Sequence, residues 1–397
     1  MAELTRRRLL GGGAAALGVA GLGAAGLGAA GVGRATSRDE NPRIVEFHGD
    51  HQAGIETEPQ AFASFVALDL HPDTDRRALV GVLKVWAQDA YRLTTGTGGL
   101  GDSEPELARD PARLTVTVGF GPGVFGTGIF EPADAARVRP EWLRPLPAFG
   151  IDRLEDRWNG GDLVLQVCAD DPVTVAHAVR ALTRTVRSQV SVRWVQRGFR
   201  HALGTRPAGA TMRNLMGQVD GTVNPAAGST EFAGQVWNQG SPPWLAGGSS
   251  LVLRRIGMEL DTWEELDRPA RELTVGRSLE TGAPLTGSAE HDDPDFAAVD
   301  RHGIPVIPPE SHVARARPRN AGEQFLRRGY NYDDIDGTGL LFAAYQADVD
   351  RQFVPVQQRL AEHDALNPWI VPVGSAVFVI PPGFAVDGYP GDTLLEG

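Results

Sequence analysis

The chain of 397 residues contains a single cysteine, Cys168. One thiol excludes an intrachain disulfide and any metal centre built from several thiolates. Cys168 belongs to the apolar run that begins at Leu163, which predicts a buried strand. We therefore expect Cys168 to be a small side chain of the core rather than a reactive nucleophile.

Positive charge is also scarce, with 38 Lys and Arg residues against 50 Asp and Glu residues and a formal net charge of −12. Residues 1–35 hold four arginines and one glutamate, a net +3, so the rest of the chain has a formal charge of −15. An excess of negative charge repels phosphate backbones and anionic lipid headgroups. The composition argues against nucleic acid and against an anionic membrane as partners.

The first 35 residues differ from the rest of the chain. The segment Thr5-Arg6-Arg7-Arg8-Leu9-Leu10 precedes a Gly/Ala-rich, weakly hydrophobic run that extends to Gly33. This pattern predicts a twin-arginine signal peptide over residues 1–35, cleaved near Ala35 although no clean A-x-A site is present. The alternative is an uncleaved anchor, since about 20 apolar residues span a membrane, but Gly and Ala are weakly hydrophobic. We expect export to the extracellular space, the periplasm or the cell envelope, with no membrane span after processing.

The first half of the remaining chain predicts four strands and two helices. Alternation and apolar runs predict strands at Phe62–Leu70, 114–120, 163–169 and 190–195. A helix is predicted from about Thr74, and a second one after Asp171, where a capping residue precedes Pro172. The order βαββαβ is that of a ferredoxin-like unit.

The second half predicts the same architecture, interrupted by an insertion. Strands are predicted at 251–258, 340–345 and 376–380, with a helix from Asp261 and another through Gln358. The insertion, about residues 278–337, is long and polar, and such loops inside compact domains are usually functional. We predict an α+β fold of two ferredoxin-like units packed together, with domains at residues 36–215 and 216–397.

Three short motifs carry most of the chemistry. Gly217-Gln218-Val219-Asp220-Gly221-Thr222 places one carboxylate between glycines, a pattern that by itself also describes a plain tight turn. Ser311-His312-Val313 and Leu326-Arg327-Arg328-Gly329-Tyr330 follow within the insertion. Together these motifs resemble the dye-decolourising peroxidase family. Three further segments resemble the exported bacterial class of this family: Phe47–Ile55, Asp364-Ala365-Leu366-Asn367 and Gly374–Phe378.

The resemblance implies a haem peroxidase of the dimeric α+β barrel type, with one haem b per chain. The resemblance implies that His312 is the proximal ligand of the haem iron. The other ring nitrogen of His312 then needs a hydrogen-bond acceptor, which the sequence does not identify. Asp220 is expected on the distal side as acid–base catalyst, and Arg327 as a fixed cation there. Gly221, Thr222 and Arg327 are predicted to contact the cofactor.

Several roles stay open at this stage. Arg328 is the alternative to Arg327, and both could also form a surface pair or hold the haem propionates. Candidate propionate partners are Arg315, Arg317 and Arg319. Tyr345 and Trp263 are candidate electron relays for bulky donors, with core packing as the alternative.

The remaining histidines are weaker candidates. His48 and His51 could bind a metal or line the haem edge, but a loop HxxH pair lacks further ligands. Six others are expected to be solvated: His71, His177, His201, His291, His302 and His363.

The leading prediction is an exported peroxidase that reduces hydrogen peroxide and oxidises dyes, phenolics or other one-electron donors, either alone or as a homo-oligomer. One alternative is a haem- or iron-handling role in iron uptake, similar to deferrochelatases of the exported class. Another is a non-catalytic haem-binding module, because ferredoxin-like units host many functions.

Overall fold

The computed structural model describes residues 44–126, 128–207 and 209–396. The predicted signal peptide, residues 1–35, lies outside the described residues. No helix within the described ranges is long and apolar enough to cross a membrane.

The described residues form strands and helices in two similar successions. The strands are β1 (Phe62–Leu70), β2 (Thr115–Phe120), β3 (Leu163–Ala169), β4 (Val190–Phe199), β5 (Met212–Arg213), β6 (Val219–Asp220), β7 (Ser249–Met258), β8 (Leu326–Arg327), β9 (Tyr330–Asp334), β10 (Gly337–Gln346) and β11 (Ile370–Ile380). The helices are α1 (Arg76–Thr94), α2 (Pro132–Val138), α3 (Pro172–Thr185), α4 (Thr230–Val236), α5 (Leu260–Glu264), α6 (Arg268–Val275), α7 (His312–Ala316), α8 (Val354–His363) and α9 (Asp392–Leu395). A π-helical turn, Val349–Phe353, leads into α8.

The first unit forms as the sequence predicts because local signals and burial agree. The Asp75 side chain accepts a hydrogen bond from the N–H of Ala78 and caps α1. Asp171 caps α3 in the same way through Thr174, with Pro172 in the first turn. Both helices place an apolar stripe against the sheet, and Trp86 of α1 is fully buried there.

Two antiparallel four-stranded sheets make up the main body. One has the order β2-β3-β1-β4 and the other β9-β10-β7-β11. In each unit the first strand lies between the third and the fourth, which is the ferredoxin-like arrangement, so the predicted fold class is confirmed. The sheets meet at two edges through single residue pairs, Val379 with Phe120 and Phe199 with Asn331, and thereby close into a barrel.

The interior of the barrel is a core shared by both units. Phe65 and Cys168 of the first sheet and Tyr345 and Phe378 of the second belong to one buried cluster. Because this cluster draws on both sheets, it lies between them. The single cysteine is thus a core residue, as expected, and burial raises the pKa of its thiol.

The second unit departs from prediction at two short strands, β8 and β9. The predicted insertion, residues 278–337, includes β9, which completes the second sheet as its edge strand. Its sequence, Tyr330 to Asp334, ends in two exposed aspartates and is only five residues long, so it lacks a strong strand signal. The predicted domain boundary at 215/216 falls within the hairpin β5–β6 and stays a prediction.

Candidate functional site

A cavity of about 380 Å³ is lined by Ile151 and otherwise by residues of the second half of the chain. It brings together Asp220, His312 and Arg327, which come from three separate segments. Gly221 and Thr222 also line it. Apolar side chains form much of the remaining wall, among them Ile256, Met258, Val275, Leu340, Phe342, Val356 and Leu360. A mostly apolar cavity with a few convergent polar groups is typical of a cofactor site.

His312 is the first residue of the short helix α7 and is oriented by a carboxylate from the chain after α8. Its Nδ1 lies 2.6 Å from Oδ2 of Asp364, whose side chain is completely buried. Burial by itself would lower the pKa of His312, but the charge and hydrogen bond of Asp364 outweigh it and raise the pKa above its ordinary value. The imidazole remains 30% exposed, so Nε2 is left for a ligand in the cavity.

The position of α7 depends on a glycine that ends the preceding helix α6. Gly276 has φ +86°, and a Cβ at this position would overlap Cγ1 of Val313. A larger residue would therefore both strain the backbone and push α7 away. The close approach sets where His312 enters the cavity.

Asp220 ends the small hairpin β5–β6. Met212 pairs with Asp220 across the hairpin, and Gly217 provides the positive φ of its turn at +84°. Asn214 organises the turn, because its Oδ1 accepts hydrogen bonds from the N–H groups of Met216 and Gln218 at 3.1 and 3.2 Å. Its Nδ2 lies 3.5 Å from Oδ2 of Asp220. The predicted tight turn is therefore present, and it directs a carboxylate into the cavity.

Arg327 extends from β8 towards the same carboxylate. Its Nη1 lies 3.5 Å from Oδ1 of Asp220, and the two side chains are 25% and 24% exposed. The charges of Asp220 and Arg327 both act on the pKa of His312, in opposite directions, which indicates that all three groups lie within electrostatic reach. The site therefore combines one imidazole, one carboxylate and one guanidinium around an apolar space.

The two candidate arginines lie in different surroundings. Arg328 is 1% exposed, donates to the carbonyl of Thr57 and to Oε1 of Gln60, and does not line the cavity. Its neighbours in the barrel are Tyr330 and Tyr345, so it is neither a surface residue nor close to Asp220 in the hydrogen-bond network. Successive side chains of an extended chain point to opposite faces, so Arg327 faces the cavity and the next residue, Arg328, faces the interior of the barrel.

Three further arginines lie in α7 or directly after it. Arg315, Arg317 and Arg319 line a second pocket of about 230 Å³, together with Arg359 of α8. Arg317 lies over the ring of Phe296 at 4.2 Å, and both residues line the large cavity as well. The two spaces are therefore adjacent, and the smaller one carries the positive charge expected at an anion site.

Sequence reasoning did not identify three charged residues of the site. Asp364 was part of a recognised segment, but nothing in its local pattern indicated a contact with His312. Glu290 accepts hydrogen bonds from Thr211 at 2.5 Å and from Thr222 at 3.0 Å, on both sides of Asp220. Burial lowers the pKa of Arg277, which also lines the cavity, and the charge of Arg327 lowers it further. The polarity of the insertion was the only sequence signal for Glu290.

Several other candidates lie away from the cavity. His51 is stacked on Trp237 at 3.8 Å and bonded to the carbonyl of Gly247, and neither His48 nor His51 lines the cavity. Among the described residues, no cluster of three or more His, Cys, Asp or Glu side chains forms a metal site. Tyr345 and Trp263 are both buried and do not line the cavity. Trp263 donates to the carbonyl of Met216, a cavity residue, and contacts Trp369 edge to face at 5.3 Å.

The expectation that six histidines are solvated is wrong for His177. This residue is 5% exposed, and its Nε2 lies 2.7 Å from Oδ2 of Asp102. The loop after α1 folds over α3 and supplies the carboxylate, a contact that helical periodicity does not reveal. His291, His302 and His363 are exposed, and His71 and His201 are half-buried.

Comparison with known proteins agrees with the geometry of the site. Residues 52–200 match the family model for the Dyp-type peroxidase N-terminal region, and residues 211–385 match the model for the C-terminal region. A dye-decolorizing peroxidase from Thermobifida fusca is 41% identical, covering 87% of this chain and 84% of that protein. A deferrochelatase from Yersinia pestis is 34% identical, covering 91% of this chain and 87% of that protein.

The similarity extends to a solved structure. The crystal structure of a DyP-type peroxidase from Cellulomonas bogoriensis superposes with a TM-score of 0.85 at 55% identity, covering 90% of this chain and 99% of that one. The matched regions contain both ferredoxin-like units and every residue of the site. The chain therefore belongs to the Dyp-type peroxidase family and is a haem peroxidase.

Proposed function

We propose that this protein is an exported peroxidase in which His312 holds one haem b, while Asp220 and Arg327 act together on hydrogen peroxide. The observation that carries the proposal is the convergence of these three side chains on one cavity, with Asp364 behind His312. The family supplies the reaction class, since peroxidases use peroxide and a reducing donor.

The residues of the cavity fit a haem. His312 offers Nε2 because Nδ1 is engaged by Asp364, and a hydrogen-bonded acceptor of this kind fixes the tautomer and raises the basicity of an imidazole ligand. Apolar walls suit the porphyrin faces. Arg315, Arg317 and Arg319 supply cations for the propionates in the adjoining pocket. A bound haem would supply the redox chemistry, a two-electron reduction of peroxide balanced by one-electron oxidations of two donor molecules.

Asp220 and Arg327 would divide the work on peroxide. Asp220 accepts a proton from one peroxide oxygen and returns it to the other, so that the second oxygen leaves as water. The guanidinium of Arg327 would stabilise the negative charge that develops as the O–O bond breaks.

The donor is proposed to be a dye, a phenolic compound or another one-electron reductant. A homo-oligomer is compatible with this role.

A haem- or iron-handling function is the second candidate, favoured by the 34% identity to a protein named deferrochelatase. We also propose export by the twin-arginine route, based on Arg6, Arg7 and the Gly/Ala-rich run that follows. The intact Asp220 and Arg327 argue against a purely haem-binding module.

Stopped-flow mixing of the haem-loaded protein with hydrogen peroxide tests the proposal. Asp220→Ala should slow the spectral change of the haem by about 10²–10⁴-fold. Arg327→Ala should slow it by about 10²–10³-fold while haem stays bound. Wild-type rates in both variants would refute the distal assignment. Release of porphyrin and free iron, without donor oxidation, would favour the second candidate.

A further inference from the structure

The backbone of Arg327 is held by the side chain of Asn224. Oδ1 of Asn224 accepts a hydrogen bond from the N–H of Arg327 at 2.9 Å, and Nδ2 donates to its carbonyl at 2.7 Å. A carboxamide presents one acceptor and one donor in a plane, as a peptide group does. Among the described strands β8 pairs only with β10, so Asn224 replaces the missing neighbour on the other edge.

This contact matters because β8 is very short. Two residue pairs, Ala344 with Arg327 and Tyr345 with Leu326, join it to β10, and the N–H of Arg328 adds a hydrogen bond to the carbonyl of Ala343 at 2.7 Å. These contacts leave the N–H and carbonyl of Arg327 on the other edge, where an unpaired group would carry a cost if shielded from water. The two hydrogen bonds of Asn224 pair both groups and restrain the main chain of Arg327 directly.

The same loop carries the catalytic carboxylate. Asn224 follows Asp220 by four residues, and its N–H donates to the carbonyl of Gly221 at 3.2 Å, which closes a turn. Gly221 has φ +120°, a conformation that favours glycine. The turn brings the amide of Asn224 to β8 while Asp220 faces the cavity.

The direct contact between the two charged groups is too weak to set their geometry. Asp220 and Arg327 are separated by 3.5 Å, and about a quarter of each side chain is exposed. Ion pairs of this length and exposure contribute little. The short hydrogen bonds of Asn224 are the stronger connection between the two segments.

We propose that Asn224 is a positioning residue that holds Arg327 beside Asp220 for the reaction with peroxide. The proposal rests on the distal role of Arg327 described above. It predicts that removal of the Asn224 carboxamide displaces the guanidinium of Arg327, although Asp220 and Arg327 themselves are unchanged. A displacement of about 1 Å at a catalytic group can cost about 10²-fold in rate.

The primary test compares Asn224→Ala with the wild-type haem-loaded protein. We expect an unchanged haem content and a peroxide reaction slowed by about 10- to 100-fold. Asn224→Asp keeps the acceptor but sets a carboxylate against the carbonyl of Arg327, so it should not restore the rate. In an Arg327→Ala background, Asn224→Ala should have almost no further effect, because a positioning residue acts through its target.

A second readout does not depend on turnover. Fluoride binds ferric haem and accepts hydrogen bonds from a nearby cation. Loss of one such charge-assisted hydrogen bond should weaken fluoride affinity by about 10-fold or more. Asn224→Ala and Arg327→Ala should both show this loss in an equilibrium titration followed by absorbance.

Asn331→Ala is a matched control. Nδ2 of Asn331 donates to the carbonyl of Arg213 at 3.0 Å and so joins the hairpin β5–β6, which carries Asp220, to β9. This variant should keep the peroxide rate and fluoride affinity of the wild type, even if its unfolding temperature falls. Equal losses of peroxide rate and fluoride affinity in the Asn331 and Asn224 variants would indicate that any weakening of this region has the same effect, and would overturn the proposal.

The remaining outcomes separate this proposal from the proposed function. An impaired Arg327→Ala beside an unaffected Asn224→Ala would refute the positioning role alone. An unaffected Arg327→Ala would refute both the distal role of Arg327 and the positioning role of Asn224. The positioning role would also be refuted if the rate losses of Asn224→Ala and Arg327→Ala were fully additive in the double variant.

Discussion

Nδ1 of His312 lies 2.6 Å from Oδ2 of Asp364, a residue 52 positions further along the chain. Asp364 is buried and also accepts the N–H of Leu366 at 2.9 Å through its other oxygen, so the carboxylate cannot turn away from the imidazole. The pair gives His312 a defined tautomer and leaves Nε2 directed to the cavity. It also places a carboxylate behind the proposed iron ligand, which favours the ferric state of a bound haem.

Substitution of Asp364 by Asn tests this electronic role. The amide keeps the shape and can still accept from Nδ1, but the negative charge is lost. We expect the Fe(III)/Fe(II) midpoint potential of the haem to become more positive, and activity to fall by about 10- to 100-fold. Spectroelectrochemical titration measures the potential. The exposed Asp333→Asn serves as control, and an unchanged potential in Asp364→Asn would limit that carboxylate to a structural role.

Removal of the imidazole should release the cofactor. We expect His312→Ala to lose most of its haem, because among the described residues His291 is the one other histidine that lines the cavity, and it is exposed. The haem-to-protein absorbance ratio of purified protein measures this loss, and added imidazole should restore part of the Soret band. His302→Ala, at an exposed position, should bind haem normally. Full haem with an unchanged spectrum in His312→Ala would show that the ligand is another residue.

Export should depend on the paired arginines. Changing Arg6 and Arg7 to Lys preserves the charge but removes the twin-arginine signal, so we expect the protein to accumulate inside the cell. Fractionation followed by immunodetection measures the distribution. Arg34→Lys, outside the motif, is the control. Continued export of the double variant would contradict the proposed route.

The buried pair of Asp102 and His177 predicts a pH-dependent contribution to stability. Burial alone would raise the pKa of Asp102, but hydrogen bonds from the N–H of Glu104 and from His177 hold the pKa below its ordinary value. Stabilisation by this carboxylate is therefore complete above the unfolded pKa of about 4 and is lost as pH falls through the lower folded value. Asp102→Asn should lower the free energy of unfolding at pH 7 by about 1–3 kcal/mol.

The difference in unfolding free energy between wild type and Asp102→Asn should narrow as the pH falls below about 4, where Asp102 of the unfolded wild type becomes protonated, and should be smallest below the lower pKa of the folded state. Urea unfolding of the haem-loaded protein across pH measures both quantities. Asp73→Asn, at an exposed position in the turn before α1, should match the wild type throughout. A difference that stays constant down to the lowest pH would rule out titration of Asp102 as its cause.

The sequence by itself determined most of the secondary structure and the fold class. Leu163–Ala169 was predicted with its observed bounds because its burial is continuous, and α3 because Asp171 and Pro172 mark its start. These signals are local, so they need no knowledge of neighbours in space. Motif resemblance likewise identified Asp220, His312 and Arg327 as one set, although their roles stay predictions.

Tertiary structure alone decided which groups meet. The strand β9 was overlooked because it is short and polar and becomes a strand only by pairing with β10. Asp364, Asn224 and the contact of His177 with Asp102 depend on distances between segments that are 52 or more residues apart. A hydrogen bond of this kind forms because packing places two groups about 3 Å apart, and periodicity along the chain carries no record of that distance.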